Sequence, residues 1–256
     1  MKWILVVIFL GLTVFEVDKK INSARKHHSK KSFHSFAILE LFTSEGCSSC
    51  PPADRLLPQL ASADVSIIPL SFHVDYWDRY GWKDPFSNAS FTARQRDYAK
   101  QFKLESIYTP QLVINGEYEL VGSNKSAAEA DIRKILKENA PLQLIIDEVK
   151  KESDKLSVSC YLKGDFQNCD VFAAVVQKHA EVNVEAGENS GAKLSHTNVV
   201  RSFLKLSPED KINFQVSVPV ELTDDNSSAN KQNWQLIIYA QRRDDLKVTG
   251  AALYNP

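Results

Sequence analysis

The sequence has no surplus of either charge: 31 basic and 32 acidic side chains leave a net charge of −1 over 256 residues. Neither the basic excess that favours nucleic acid nor the acidic excess of a solvating tail is present. No apolar run is long enough for a comfortable membrane span. Trp3 to Phe15 is apolar or small throughout, and it stops well short of the roughly 20 residues a spanning helix needs. No cysteine lies near it, which excludes a lipid-modified N-terminal cysteine. There is no G-x-G-x-x-G after a strand and no G-K-[ST], so no nucleotide loop is implied. There is no nucleophile elbow, so Ser195-His196 is not a triad signal. No internal repeat is visible. Cysteines are few, at 47, 50, 160 and 169, and the chain is long enough to build a core without staples.

What is present begins with an address. Lys2 followed by the apolar run has the pattern of a signal peptide, with Ser23-Ala24 the nearest small pair for cleavage. An uncleaved anchor extended through Val17 is the alternative. Residues 1–24 are assigned to this segment and 25–33 to a basic linker. The linker's Arg25–Lys31 run is either solvated or lies against acidic lipid headgroups. An exported protein in the periplasm, cell envelope or medium is expected. In an oxidising compartment, even-numbered cysteines tend to pair.

Ser35 to Thr43 is a short apolar run of buried-strand length. After Cys50 come Pro51 and Pro52, suited to the first turn of a helix, with Leu56, Leu57 and Leu60 on one face. Pro58 should kink or end that helix early. Val65 to Phe72 reads as a strand, Phe91 to Phe102 as a helix and Gln111 to Ile114 as a strand. Asn115-Gly116 is a hairpin turn before a return strand, Tyr118 to Val121. Ala127 to Leu136 closes an α/β unit over 34–140. Beyond Pro141, seven strand-like runs (142–149, 156–162, 171–177, 199–206, 212–220, 234–241 and 248–254) predict an all-β, sandwich-like domain over 141–256.

The chemistry-bearing motif is Cys47-Ser48-Ser49-Cys50. Cys47 would sit at a helix start, where free N–H groups and the helix dipole favour thiolate, the nucleophile of disulfide exchange. Cys50, one turn on, can resolve the mixed disulfide. The pattern Tyr108-Thr109-Pro110-Gln111-Leu112-Val113-Ile114-Asn115-Gly116 follows about sixty residues later. At this point the sequence resembles the thioredoxin superfamily. That resemblance implies a cis-proline at Pro110 facing the cysteines, with Thr109 and Pro110 helping to bind substrate. Glu40 lies inside the apolar strand. It is either a buried carboxylate able to relay a proton to Cys50 or a residue facing solvent.

A closer resemblance rests on Glu40 to Pro52, His73-Val74-Asp75-Tyr76-Trp77, Gly81-Trp82-Lys83-Asp84-Pro85, Arg94-Gln95-Arg96, Gly187-Glu188-Asn189-Ser190-Gly191 and His196 to Arg201. These runs are similar to a bacterial secreted family known as domain of unknown function 1223, with a thioredoxin-like fold. The resemblance implies a fold and no established activity.

His73 and Asp75, two apart at a strand end, could share a face and line a pocket beside Cys47 with Trp77 and Trp82. Packing of a polar strand end by aromatics is the plainer reading. The Gly187–Gly191 run reads as a turn and hairpin. Cys160 and Cys169 either form a disulfide across the turn 163–168 or are two free, buried thiols. Eight residues separate them, wider than the halves of a structural zinc site, so no metal or other cofactor is expected. The expected function is exported thiol–disulfide exchange, with protein thiols, disulfides or a redox partner protein as partners. The alternative is a non-catalytic binding or structural protein of the envelope, in which Cys47–Cys50 is permanent and the loop 73–86 is the working surface.

Overall fold

A strand that is apolar at both parities must be covered on both faces, and Ala37–Thr43 (AILELFT) is buried throughout. In the structure, a computed structural model that describes residues 29–223 and 233–256, this segment is β2. The expected signal peptide or anchor over 1–24, and the start of the basic linker, lie outside the described residues. Residues 29–32 of that linker are not a linker here. Ser29–Ser32 form β1, paired antiparallel with the last strand.

The order continues with α1 (Pro51–Ala61), β3 (Ile67–His73), α2 (Ala89–Gln101), β4 (Gln111–Ile114), β5 (Tyr118–Val121) and α3 (Lys125–Ile135). Then come β6 (Gln143–Glu152), β7 (Lys155–Lys163), β8 (Cys169–Asn183), β9 (Lys193–Leu206), β10 (Lys211–Ser217), the short α4 (Val220–Thr223), β11 (Trp234–Arg242) and β12 (Val248–Asn255). Pro58 does not end α1, which runs three residues past it. The proline removes one backbone bond to Asp54, while buried Leu56, Leu57 and Leu60 keep the helix seated. Pro69 is tolerated inside β3 because β3 meets β9 only at Ser71–Val199, and the Asn198 side chain bonds the Pro69 carbonyl instead.

The strands form a nine-stranded mixed sheet in the order β1-β12-β11-β8-β9-β3-β2-β4-β5, and an antiparallel three-stranded sheet, β10-β7-β6. On one face of the large sheet, α1 and α3 cover Ala37, Leu39, Leu41, Leu112 and Ile114. Further along, the three-stranded sheet packs over Val171, Ala173, Val175, Leu236 and Ile238. On the other face, α2 lies over an aromatic core that runs from Phe42 and Phe72 to Phe172 and Tyr239. The expected self-contained β-sandwich over 141–256 therefore needs correction. Its layers exist, but one of them is the same sheet that begins in 34–140. Among the described residues, no helix is long and apolar enough to cross a membrane.

Cys160 and Cys169 are free and buried, which corrects the expected disulfide. They sit in different sheets: Cys160 faces Ile146 and Ile212 in the small one, and Cys169 opens β8 in the large one. The expectation failed because the turn joins two layers rather than two neighbours of one hairpin. Burial pushes the Cys160 thiol up to about 11 and raises that of Cys169, so both are poor nucleophiles.

The Asn115-Gly116 turn has φ of +48° and +69°, as a two-residue hairpin requires. A Cβ on Gly116 would lie 1.9 Å from the Leu246 carbonyl oxygen. Gly116→Ala is expected to cost at least about 2 kcal/mol, from the left-handed backbone and the clash together. An unchanged urea midpoint would overturn that.

Candidate functional site

Pro51 and Pro52 carry no N–H, so α1 needs no side-chain cap at Cys50. Its first backbone bonds run from Ala53 and Asp54 to the Cys50 carbonyl. This start holds Cys47 and Cys50 in a disulfide, with Cα atoms 5.4 Å apart. Across from it, the Thr109–Pro110 peptide is cis. The Thr109 hydroxyl donates to Cys47 Sγ at 3.2 Å, and the Thr109 carbonyl oxygen lies 3.9 Å from the same sulfur. Trp77 Nε1 donates to the Thr109 hydroxyl at 2.8 Å, which fixes that hydroxyl's proton toward the sulfur. Ser49 Oγ sits 3.3 Å from Cys47 Sγ. Pro110 is buried, and Ser48 and Ser49 are exposed. Both cysteines are 0% exposed.

Two loops pack on the backbone of this turn. Trp77 packs over Gly46, where an added Cβ would lie 3.2 Å from the tryptophan Cβ. The tip of the β8–β9 hairpin is the other. Asn189 Nδ2 donates to the carbonyls of Glu45 (2.8 Å) and Cys47 (3.0 Å), and the Ser48 N–H donates to Glu188 Oε2 at 3.1 Å. The hairpin reading of 187–191 was right about shape and missed these contacts.

His73 and Asp75 do not share a face. His73 is buried with Nδ1 2.6 Å from Asp84 Oδ2, whereas Asp75 turns to α2 and accepts from the Thr92 hydroxyl. Asp84 Oδ2 also accepts from the Glu45 N–H, and Trp82 Nε1 donates to Glu45 Oε2 at 2.7 Å. Burial alone would raise the Asp84 carboxyl, but His73 and two backbone N–H groups outweigh it and hold Asp84 below the ordinary range. The aromatic loop therefore faces the disulfide turn, with the Trp82 indole N–H spent on Glu45 of that turn and the Trp77 indole N–H on Thr109 across from it.

A buried ionic cluster lies behind the turn. His196 Nε2 is 3.4 Å from Glu45 Oε1, and His196 Nδ1 is 3.7 Å from Asp54 Oδ1. Neither contact has hydrogen-bond geometry, so both ring nitrogens and both facing oxygens lack a hydrogen-bond partner. Thr43 Oγ1 donates to the other Asp54 oxygen at 3.2 Å. Burial pushes His196 down, but Asp54 and Glu45 prevail and raise it to about 10. The imidazole is thus a cation at neutral pH. Among the described residues, no three His, Cys, Asp or Glu side chains are arranged to hold a metal ion.

Glu40 is buried, but the structure does not bring it to the cysteines. Alternation turns Leu39, Leu41 and Thr43 toward α1, and Ile38, Glu40 and Phe42 toward α2. There Arg94 binds both Glu40 oxygens, at 2.5 and 2.7 Å, and Tyr98 Oη donates at 2.6 Å. Carboxylates that do flank the disulfide are Glu45 and Asp54. Asp54 could have been found by its i, i+4 spacing from Cys50. Glu45, Glu188, Asn189 and His196 lie within runs that carried the family resemblance.

Fold and site together define a mixed α/β protein, with a large mixed sheet and a second antiparallel one, bearing a covered Cys-x-x-Cys disulfide at a helix start. The chain belongs to the family described as protein of unknown function DUF1223, whose model matches residues 38–241. The crystal structure of protein AGR_C_4864 from Agrobacterium tumefaciens is similar in fold. Its TM-score is 0.61 at 24% identity, over 86% of this chain and 93% of that one. No curated protein matches the chain.

Proposed function

We propose that the protein is an exported, thioredoxin-like thiol–disulfide oxidoreductase acting on protein thiols at Cys47–Cys50. The observation that carries this reading is the placement of Thr109 on the Cys47 sulfur. A hydroxyl donor aimed at a sulfur supports negative charge there during exchange. A helix start behind the pair does the same. A substrate thiolate attacks Cys47, the S–S bond breaks, and Cys50 leaves as a thiolate. A second substrate thiolate then attacks the mixed disulfide, releasing oxidised substrate and reduced Cys47. The reverse sequence oxidises the protein and reduces its substrate.

A second reading draws on one specific observation, the 0% exposure of Cys47. In it the disulfide is permanent and staples the turn that a binding surface is built on. One experiment separates the two. The full chain is equilibrated across thiol–disulfide buffers, alkylated and mapped by mass spectrometry. The exchange reading predicts a Cys47–Cys50 couple titrating between about −120 and −270 mV. A pair still oxidised below about −300 mV selects the structural reading.

A further inference from the structure

We propose that Glu188 and Asn189, at the tip of the β8–β9 hairpin, are positioning residues of the exchange site: they clamp the backbone of the Cys47 turn and restrain the acidity of its sulfur until the tip is lifted. This rests on the exchange reading above.

The clamp is specific in its chemistry. Asn189 spends its carboxamide N–H donors on two carbonyls of one turn, more than 140 residues away in sequence. Glu188 takes the Ser48 N–H. That N–H belongs to the residue after Cys47, in the turn that leads into the helix, where a donor facing the sulfur favours thiolate. A carboxylate seated there competes for the donor and sets like charge beside the developing thiolate. The contacts with Ser48 hold the Glu188 carboxyl below its ordinary range, so it is charged at neutral pH. Other ionisable groups around the turn are Glu45, Asp54 and His196 behind it, and the His73–Asp84 pair beneath the aromatic loop. These are buried and stay in place when the tip leaves.

The tip is built as a unit. Val184 N–H bonds the Ala192 carbonyl, Gly191 N–H the Val184 carbonyl, and Ala192 N–H the Asn189 carbonyl. It rests on Trp82 through Gly187, at φ +77°, where a Cβ would lie 3.1 Å from the tryptophan Cβ. Cys47 has no exposed surface, so an attacking thiolate reaches Sγ only when the turn moves, and the tip holds that turn by its backbone. Displacing the tip also frees the Ser48 N–H. Release of the turn and activation of the sulfur are therefore one event.

The test uses the full chain with Asn189→Ala, Asn189→Asp and Glu188→Gln. Glu188 is exposed, so its variant does not threaten the fold. Reduction of Cys47–Cys50 by dithiothreitol is timed by quenching and mass spectrometry. Asn189→Ala and the donor-free Asn189→Asp should both be reduced about tenfold faster than wild type. In the reduced state, Glu188→Gln should shift the pH profile of Cys47 alkylation down by about half a unit, which a merely structural contact would not do. Wild-type rates and profiles in all three, with a couple that titrates in the exchange range, overturn the clamp and leave the exchange reading standing. A pair that stays oxidised in wild type and variants alike removes the exchange reading and the clamp with it.

Discussion

Arg94→Ala is expected to lower the stability of the protein by about 3–5 kcal/mol, read as a fall in the urea midpoint, because it leaves Glu40 buried and unpaired. The side chain of Glu40 is 1% exposed, and Arg94 is its cation. The guanidinium also lies within 6 Å of five ring centroids: Phe72 (5.8 Å), Tyr98 (5.0 Å), Phe172 (4.8 Å), Phe203 (5.3 Å) and Tyr239 (5.7 Å). Such contacts are worth about 0.5–2 kcal/mol each when desolvated, and they do not add. Those rings come from β3, α2, β8, β9 and β11, so one side chain joins the two halves of the large sheet. Total stability of a folded domain is only about 5–15 kcal/mol, so the variant loses a large share of it. The burial cost of the pair makes a second arm informative. Replacing both partners, as Glu40→Leu with Arg94→Met, removes both charges and should leave more stability than Arg94→Ala alone. A double variant weaker than the single one would sink the account of Glu40 as a stranded charge.

Local patterns in the sequence carried much of this architecture. Strand, Cys-x-x-Cys and helix follow one another as the apolar runs and prolines indicate. The Asn-Gly turn and its two strands fall at the expected residues, and all seven runs beyond 141 are strands or begin as strands. Periodicity reports which face a residue takes, and it does not name the partner on that face. The single bridge Ser71–Val199 makes one sheet of two expected units, and no local pattern encodes it. Glu40 and Arg94 are 54 residues apart, and each reads locally as an ordinary charge. Asp54 sits among helix residues where a carboxylate normally meets solvent. Its burial follows from Thr43 and His196, which come from elsewhere in the chain. Cys160 and Cys169 fail for the same reason, since spacing reads as a hairpin until the strands are assigned to separate layers.

The second large effect is on pH dependence, through His196. Folded, this imidazole holds its proton to about 10, against about 6.5 for an unperturbed histidine. Its contribution to stability is therefore fully present below pH 6.5, declines as pH rises from there to 10, and is gone above that. The size is on the order of 5 kcal/mol, since each unit of difference corresponds to about 1.4 kcal/mol. Other buried groups act higher: the thiols of Cys160 and Cys169 and the phenols of Tyr98 and Tyr239 are raised by burial, so they cost stability only from about pH 9 upward, where they ionise in the unfolded chain, and the His196 effect is read below that. Wild-type protein should then unfold at distinctly lower urea at pH 8.5 than at pH 7. His196→Gln should already be weakened at pH 7, because Glu45 and Asp54 face each other without the cation between them. Its midpoint should change little from pH 7 to 8.5. An equal alkaline loss in wild type and His196→Gln would place the titrating group elsewhere. Loss confined to wild type would mean that the fold beneath the disulfide is held by a cation that neutral pH supplies and alkaline pH removes.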